Sequence, residues 1–269
     1  MRYKLIMKKT NRIVVITGGS SGIGKLLVEQ FVKNGDKVYM LSRSNPDNFE
    51  RHIKTDIANE KSVQEAFTHI TAQESSIDIL VNNSGVGVAG AMELLESADV
   101  RQCLDVNVMG IFYCCKYALP YMQANAKIIN ISSVIATFPR PFHTIYSASK
   151  AAASMMSHGL RMELAPSKIQ VTAICPTGIA TPFAKNRIIE YKTNERYGDR
   201  IKRAHDSVEN RSRMSPEVAA RQIYKKINKK KLKPQYIIGN GFKVLVFCFK
   251  FISLNTVLRL TNKLCGGIK

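Results

Sequence analysis

The sequence predicts an α/β fold in which one mostly parallel, doubly wound, seven-stranded sheet carries helices on both faces. Two observations lead there. Short β-branched runs alternate with longer helix-like stretches, the pattern of βαβ units. Seven such runs in 269 residues, with 45% hydrophobic content and only 9 prolines, fit one sheet and one sizeable core.

The strands are expected at Ile13–Thr17, Lys37–Leu41, His52–Thr55, Asp78–Asn82, Lys127–Ile131, Gln170–Ile174 and Tyr236–Ile238. Helices are expected over Ile23–Lys33, Ser62–Thr71, Val100–Met122, Tyr146–Leu164 and Pro216–Lys229, with Pro120, Pro166 and Pro216 near starts or ends. Residues 181–213 are polar, charged and weakly periodic, which predicts an insertion outside the sheet, a mobile flap over a site. Residues 1–269 thus read as one domain bearing that flap and a basic, apolar tail at 242–269.

The net charge is +20 and uneven: residues 185–233 hold 16 Lys/Arg against 6 Asp/Glu, and the tail from Pro234 onward adds five cations and no acid. Such a balance suits anionic ligands or surfaces and says nothing about fold. The run Lys225–Lys231 has no recognition motif beside it and reads as a solvated helix face, so nucleic acid is not an expected partner. The cysteines (Cys103, Cys114, Cys115, Cys175, Cys248, Cys265) form no CxxC pair and read as reduced thiols of a cytoplasmic protein, with no metal expected. The basic N-terminus has too short an apolar stretch for a signal peptide. Phe242–Leu260 approaches membrane-spanning length, but Lys243, Lys250, Ser253, Asn255 and Arg259 interrupt it. Two expectations stand for it: a helix packed on the sheet or a partner subunit, and peripheral attachment to an anionic membrane.

The first strand runs into Thr17-Gly18-Gly19-Ser20-Ser21-Gly22-Ile23-Gly24 and then a helix. In that context glycines let backbone amides approach a pyrophosphate at a helix N-terminus. The second strand ends in Ser42 and Arg43 with no acid at its tip. A guanidinium there accommodates a 2′-phosphate where a carboxylate would take a ribose diol, so NADP(H) is the expected cofactor. Asp56 and Ile57 after the third strand, and Asn83, Ser84 and Gly85 after the fourth, extend the groove along successive strand ends.

Tyr146 and Lys150 open a helical stretch four residues apart, which places them on one face. A phenol near its ordinary value of ~10 is a poor base at neutral pH, and a neighbouring ammonium is expected to lower that value. Ser133, after the fifth strand, is expected to hold a substrate oxygen beside Tyr146.

In order and spacing, these motifs resemble the short-chain dehydrogenase/reductase family, strongly over residues 13–182, which implies a Rossmann-like fold. The resemblance implies Tyr146 as proton donor and acceptor, Lys150 as its electrostatic partner and a ribose ligand, and Ser133 as orienter of the substrate oxygen. It implies Asn107 as support for a water relay behind the lysine, Pro176, Ile179 and Thr181 beside the nicotinamide, and homodimers or homotetramers through the long helices. Two departures stand out: Ser84 where the family commonly has Ala, and Thr177 where it commonly has Gly, with Gly178 one place later.

Val134–His143, including Ile135 and His143, and Phe183, Ile188, Ile189 and Tyr191 are expected to border the substrate. They are mostly apolar, which favours a lipophilic, steroid-like or fatty ketone or alcohol. His143 is expected to shape the site rather than to catalyse. The expected function is hydride transfer between NADP(H) and a carbonyl or secondary alcohol. The alternative is a non-catalytic NADP(H)-binding redox sensor or scaffold, for which a broken catalytic set would be the mark.

Overall fold

The computed structural model describes residues 11–181, 183, 187–209, 214–239, 242–249 and 251–264, without the side chains of 207–209, 242, 243, 245 and 264. Seven parallel strands form the central sheet: β1 (Ile13–Thr17), β2 (Lys37–Ser42), β3 (His52–Lys54), β4 (Ile79–Asn82), β6 (Lys127–Ile131), β7 (Gln170–Pro176) and β9 (Gln235–Ile238). Their spatial order is β3-β2-β1-β4-β6-β7-β9. The chain winds outward from β1 to β3, then crosses back to β4 and winds the other way. The switch between β1 and β4 opens a crevice at the carboxyl ends of the strands, where such sheets bind ligands.

The inner strands β1, β2, β4, β6 and β7 are buried on both faces, which explains their nearly continuous apolar composition. Val15, Tyr39, Leu80 and Ile128 pack against α2 (Glu60–Thr71), α4 (Gly110–Ala118) and α5 (Thr144–Glu163). Their alternating neighbours Val14, Ile16, Val38, Ile79 and Ile129 pack against α1 (Gly22–Lys33) and a later helix over Pro216–Ile227. Four-residue spacing of Leu27 and Phe31, and of Ile223 and Ile227, turns one stripe of each helix inward.

The expected helix over Val100–Met122 is broken. It comprises α3 (Ser97–Leu104), a π-helical turn (Asp105–Met109), α4 and a 3₁₀ turn at Leu119–Tyr121 that contains Pro120. The π turn admits one extra residue per turn and accompanies functional sites elsewhere. Here it turns the Asn107 carboxamide onto the backbone of Val86.

The expected flap lies outside the seven-stranded sheet but has structure of its own. Ile188–Ile189 form β8, parallel to β5 (Val88–Ala89), and α6 spans Arg200–Glu209. Positions 182, 184–186 and 210–213 of the flap lie outside the described residues. After α7 (Pro216–Ile227) and β9, the tail forms α8 (Phe242–Cys248) and α9 (Leu254–Leu264). Val246 and Val257 pack with Val134, Phe138 and Cys175. No helix among the described residues is long and apolar enough to cross a membrane.

Candidate active site

The turn after β1 and the exit of β4 are sewn together. Thr17 Oγ1 accepts from the amides of Asn83 and Ser84, both at 3.0 Å. Asn83 Nδ2 donates to the carbonyls of Thr17 and Gly18, both at 3.1 Å. Gly18 holds φ +66°, a region that glycine enters freely. A Cβ at Gly24 would lie 2.2 Å from Gly18 O, so helix α1 can start this close to the strand only with glycine there. Thr17 and Gly24, expected at the cofactor, therefore stand behind the wall and position it. Gly18, Ser20, Ser21, Gly22 and Ile23 line the cavity itself.

That cavity has a volume of about 1130 Å³, above the roughly 300–1,000 Å³ of ordinary small-ligand pockets. Ser42, Arg43, Asp56, Ile57, Asn83, Ser84, Gly85, Pro176, Ile179 and Thr181 line it together with the glycine turn. The helix N-terminus beneath that turn favours an anion, and the Ser21 side chain makes no cap bond there. Arg43 is exposed, and no salt bridge to it is seen among the described residues. Ser42 is less available than expected, because its buried hydroxyl donates to Ser44 O at 2.7 Å. Asp56 accepts from the Ala58 amide with one oxygen. A glycine cradle and a helix N-terminus together suit the pyrophosphate of a dinucleotide.

Ser133, Tyr146 and Lys150 line the same cavity. Ser132 and Ser133 follow β6, and Tyr146 and Lys150 stand one turn apart at the start of α5. Ser132 Oγ donates to Lys150 O at 2.8 Å, fixing helix to strand. Lys150 is 3% exposed, and its Nζ donates to Ile131 O at 3.0 Å. Gly85 faces this group: a Cβ there would come to 3.3 Å from both Lys150 Nζ and Asn107 Oδ1.

The sequence model of the short chain dehydrogenase family matches residues 12–192. The chain belongs to that family. Its members are oxidoreductases that bind NAD or NADP. The chain is 36% identical over 208 residues to a 3-ketodihydrosphingosine reductase of Bacteroides thetaiotaomicron, covering 75% of this chain and 77% of the relative. It is 31% identical over 200 residues to a 3β-hydroxysteroid dehydrogenase of Mediterraneibacter gnavus, covering 68% and 71%. Among solved structures, a short-chain dehydrogenase from Streptomyces avermitilis superposes with a TM-score of 0.80 at 25% identity, covering 95% of this chain and 97% of that one.

Within this short-chain dehydrogenase, the electrostatics depart from the sequence expectation. Burial raises the Tyr146 phenol above its ordinary value, and the pull of Arg187 and the Ser133 hydroxyl only partly opposes it. Burial moves Lys150 itself down to about 8, and its ammonium stands 5.9 Å from the Tyr146 ring centroid. Two buried groups that each disfavour charge lie side by side.

Asn107 does not line the cavity, and it is fully buried. Its Oδ1 accepts from Val86 N at 2.8 Å, and its Nδ2 donates to Val86 O at 2.8 Å and Ser149 Oγ at 2.9 Å. Its side chain anchors the β4 exit to α5. Thr177, at the second departure from the family pattern, finds its space opposite Gly239, where a Cβ would meet Thr177 Oγ1 at 2.2 Å.

At the substrate end, Ile135, His143 and Phe183 line the cavity as expected, whereas Ile188, Ile189 and Tyr191 do not. The two isoleucines instead pair with Val88 and Ala89, and Tyr191 is half exposed and meets His205 edge to face. Arg140 lines the wall inside the expected segment, but the cation itself was not anticipated. Arg187 from the flap, and Phe249 and Thr261 from the tail, also line it. No periodicity or motif marks these positions.

Proposed function

We propose that this dehydrogenase moves a hydride between NADP(H) and the carbonyl or carbinol carbon of a lipophilic substrate, with Tyr146 giving and taking the proton of its oxygen. The observation that carries this reading is that Ser133, Tyr146 and Lys150 share one cavity with the glycine turn and Arg43. Bound there, the dinucleotide supplies or accepts the hydride. In the reducing direction Tyr146 Oη donates its proton to the substrate oxygen, which Ser133 Oγ orients. The phenol holds its proton at neutral pH, and the oxidising direction reverses the path. Val134, Ile135, Phe138, Phe183 and Phe249 give the wall its apolar character. The names of the relatives, for 3-ketodihydrosphingosine and for 3β-hydroxysteroids, support the same lipophilic class.

The test is loss of nicotinamide absorbance with NADPH or NADH against fatty and steroid ketones. Tyr146→Phe should cost about 10²- to 10⁴-fold in kcat, the usual contribution of a general acid, with thermal stability kept. An unimpaired variant would remove Tyr146 from this role. Preference for NADH would overturn the Arg43 assignment alone. Tight NADPH binding without turnover of any substrate would favour a redox sensor or scaffold.

The tail favours a lipid surface as the source of such substrates. Val244, Phe247, Phe251 and Leu254 are each at least 60% exposed, and the chain has no acid from Pro234 onward. Phe249 and Thr261 of the same segment line the cavity. Co-sedimentation with anionic but not zwitterionic vesicles, lost in a Phe247→Glu, Phe251→Glu variant, is expected. Exposed Phe112, Met155 and Met162 on α4 and α5 support self-association as a homodimer or homotetramer, which light scattering reads directly.

A further inference from the structure

The C-terminal tail is apolar on two sides. Its inner seam is narrow: Val246 of α8 and Val257 of α9 pack against Val134, Phe138 and Cys175, and Phe249 and Thr261 line the cavity itself. The Phe249 ring meets Phe138 edge to face, with centroids 5.3 Å apart. Val134 directly follows Ser133 and lines the same cavity, so the seam lies beside the reacting end. Outside, Val244, Phe247, Phe251, Leu254, Leu258 and Leu260 are each at least 40% exposed, and the Phe247 and Phe251 rings pack on each other with centroids 5.0 Å apart.

A surface helix ordinarily turns one apolar stripe to the core and a polar face to water. In α9, Val257 and Thr261 take the inner stripe one turn apart, yet Leu254, Leu258 and Leu260 remain outside it. That outer face calls for a second apolar medium. Its charge says which: five cations and no acid from Pro234 onward suit an anionic bilayer surface. The tail leaves the sheet at Gly239, whose φ of +137° is a conformation that glycine enters freely. Thr177, which lines the cavity, packs over that glycine. Hinges commonly use small residues at the ends of elements.

We propose that the tail is a lid over the substrate end of the cavity and that an anionic lipid surface opens it. This rests on the oxidoreductase reading above and adds to the tail's lipid contact a control over access to Tyr146. The balance of buried apolar surface gives the direction. In water, opening exposes Val246, Phe249 and Val257 and buries nothing in return, so the closed state is favoured. On a bilayer the open tail buries both its seam and its outer face among acyl chains, and the closed tail only its outer face. Lipid therefore binds the open state more tightly, which is the differential affinity that a population shift requires.

The experiment measures kcat/KM for a short, water-soluble ketone with NADPH, with and without vesicles. Such a substrate stays in water, so tethering to lipid alone leaves its rate unchanged, whereas an opened lid raises it. With the open state populated to at most about 10% in water, anionic vesicles should raise kcat/KM by about 10-fold or more. Zwitterionic vesicles should not. The Phe247→Glu, Phe251→Glu variant should match the wild type without lipid and lose the rise with it. An unchanged rate on anionic vesicles, or an equal rise on zwitterionic ones, would overturn the proposal. So would a rise that follows protein concentration without lipid, which would give the outer face to a second copy of this chain. Turnover of no ketone under any condition would instead strike the oxidoreductase reading, and fluorescence then judges the lid alone. The chain has no tryptophan, so Phe138→Trp reports the body side of the seam. Acrylamide quenching that rises on anionic vesicles supports opening, and unchanged quenching overturns it.

Discussion

The two ends of the cavity are built on opposite terms. At the cofactor end, polar groups are paired within the protein: Thr17 Oγ1 with two amides, Asn83 Nδ2 with two carbonyls, Asn107 with both backbone groups of Val86. Around the substrate end, Arg140 Nη2, His143 Nε2, Ser147 Oγ and Arg200 Nε are buried without hydrogen-bond partners among the described residues. Most of the first end is completed by folding, with Asn82 Oδ1 at the β4 exit an exception, while the second keeps several polar atoms unpaired among the described residues. Such unpaired groups lower stability.

Lys150, where the two ends meet, gives the largest expected effect on stability. Burial lowers it from 10.5 to about 8. Between those values the unfolded chain keeps the proton that the folded chain has released, so each rise in pH within that window favours folding. At roughly 1.4 kcal/mol per unit, the gain from pH 8 to 10.5 is about 3 kcal/mol. Urea titrations across this range should show that gain as a difference between wild type and Lys150→Met. Parallel stability curves for the two proteins would refute it.

Cutting the frame itself comes next. Asn107→Ala leaves the Val86 amide and carbonyl without their partners and frees Ser149 Oγ. The expected loss is about 2 kcal/mol, the scale of buried polar groups left unsatisfied. A loss below the error of chemical denaturation would show that solvent replaces the carboxamide and that this end is no more self-sufficient than the other. Arg43 is the exception within the cofactor end, since no salt bridge fixes it among the described residues. Arg43→Ala should weaken NADPH about 10-fold, or ~1.4 kcal/mol, and leave NADH unchanged. Fluorescence titration of both dinucleotides reads the difference, and equal weakening would assign Arg43 to general attraction.

The contrast between the ends also explains what the sequence made legible. Ile13–Thr17 and Lys127–Ile131 are observed with the expected bounds because both faces of those strands are apolar and glycine or polar residues stop them. Gly18, Tyr146 and Lys150 were readable because their spacing is local. The break at Asp105–Met109 was not, since the apolar period continues through it and the contacts of Asn107 with Val86 and Ser149, 21 and 42 residues away, are non-local. Arg187, Phe249 and Thr261 reach the cavity from an aperiodic flap and a tail whose composition suits several environments. Their placement depends on tertiary packing that no short window encodes.

The smallest effect has the opposite sign and tests the comparison most sharply. Ser147 sits in the first turn of α5, between His143 and Lys150, with its side-chain oxygen buried and without a hydrogen-bond partner among the described residues. Its amide bonds to His143 O, a contact that alanine keeps. Ser147→Ala removes an unsatisfied hydroxyl and adds helix propensity worth up to about 0.5 kcal/mol. Even with partial relief of the desolvation cost, stability should rise by about 1 kcal/mol. A paired frame residue such as Asn107 can only lose by truncation, so a gain at Ser147 beside a loss at Asn107 is the signature of two ends built differently. A loss at Ser147 would mean that its hydroxyl finds a partner in solution, and the substrate end would then be paired in the same manner as the frame.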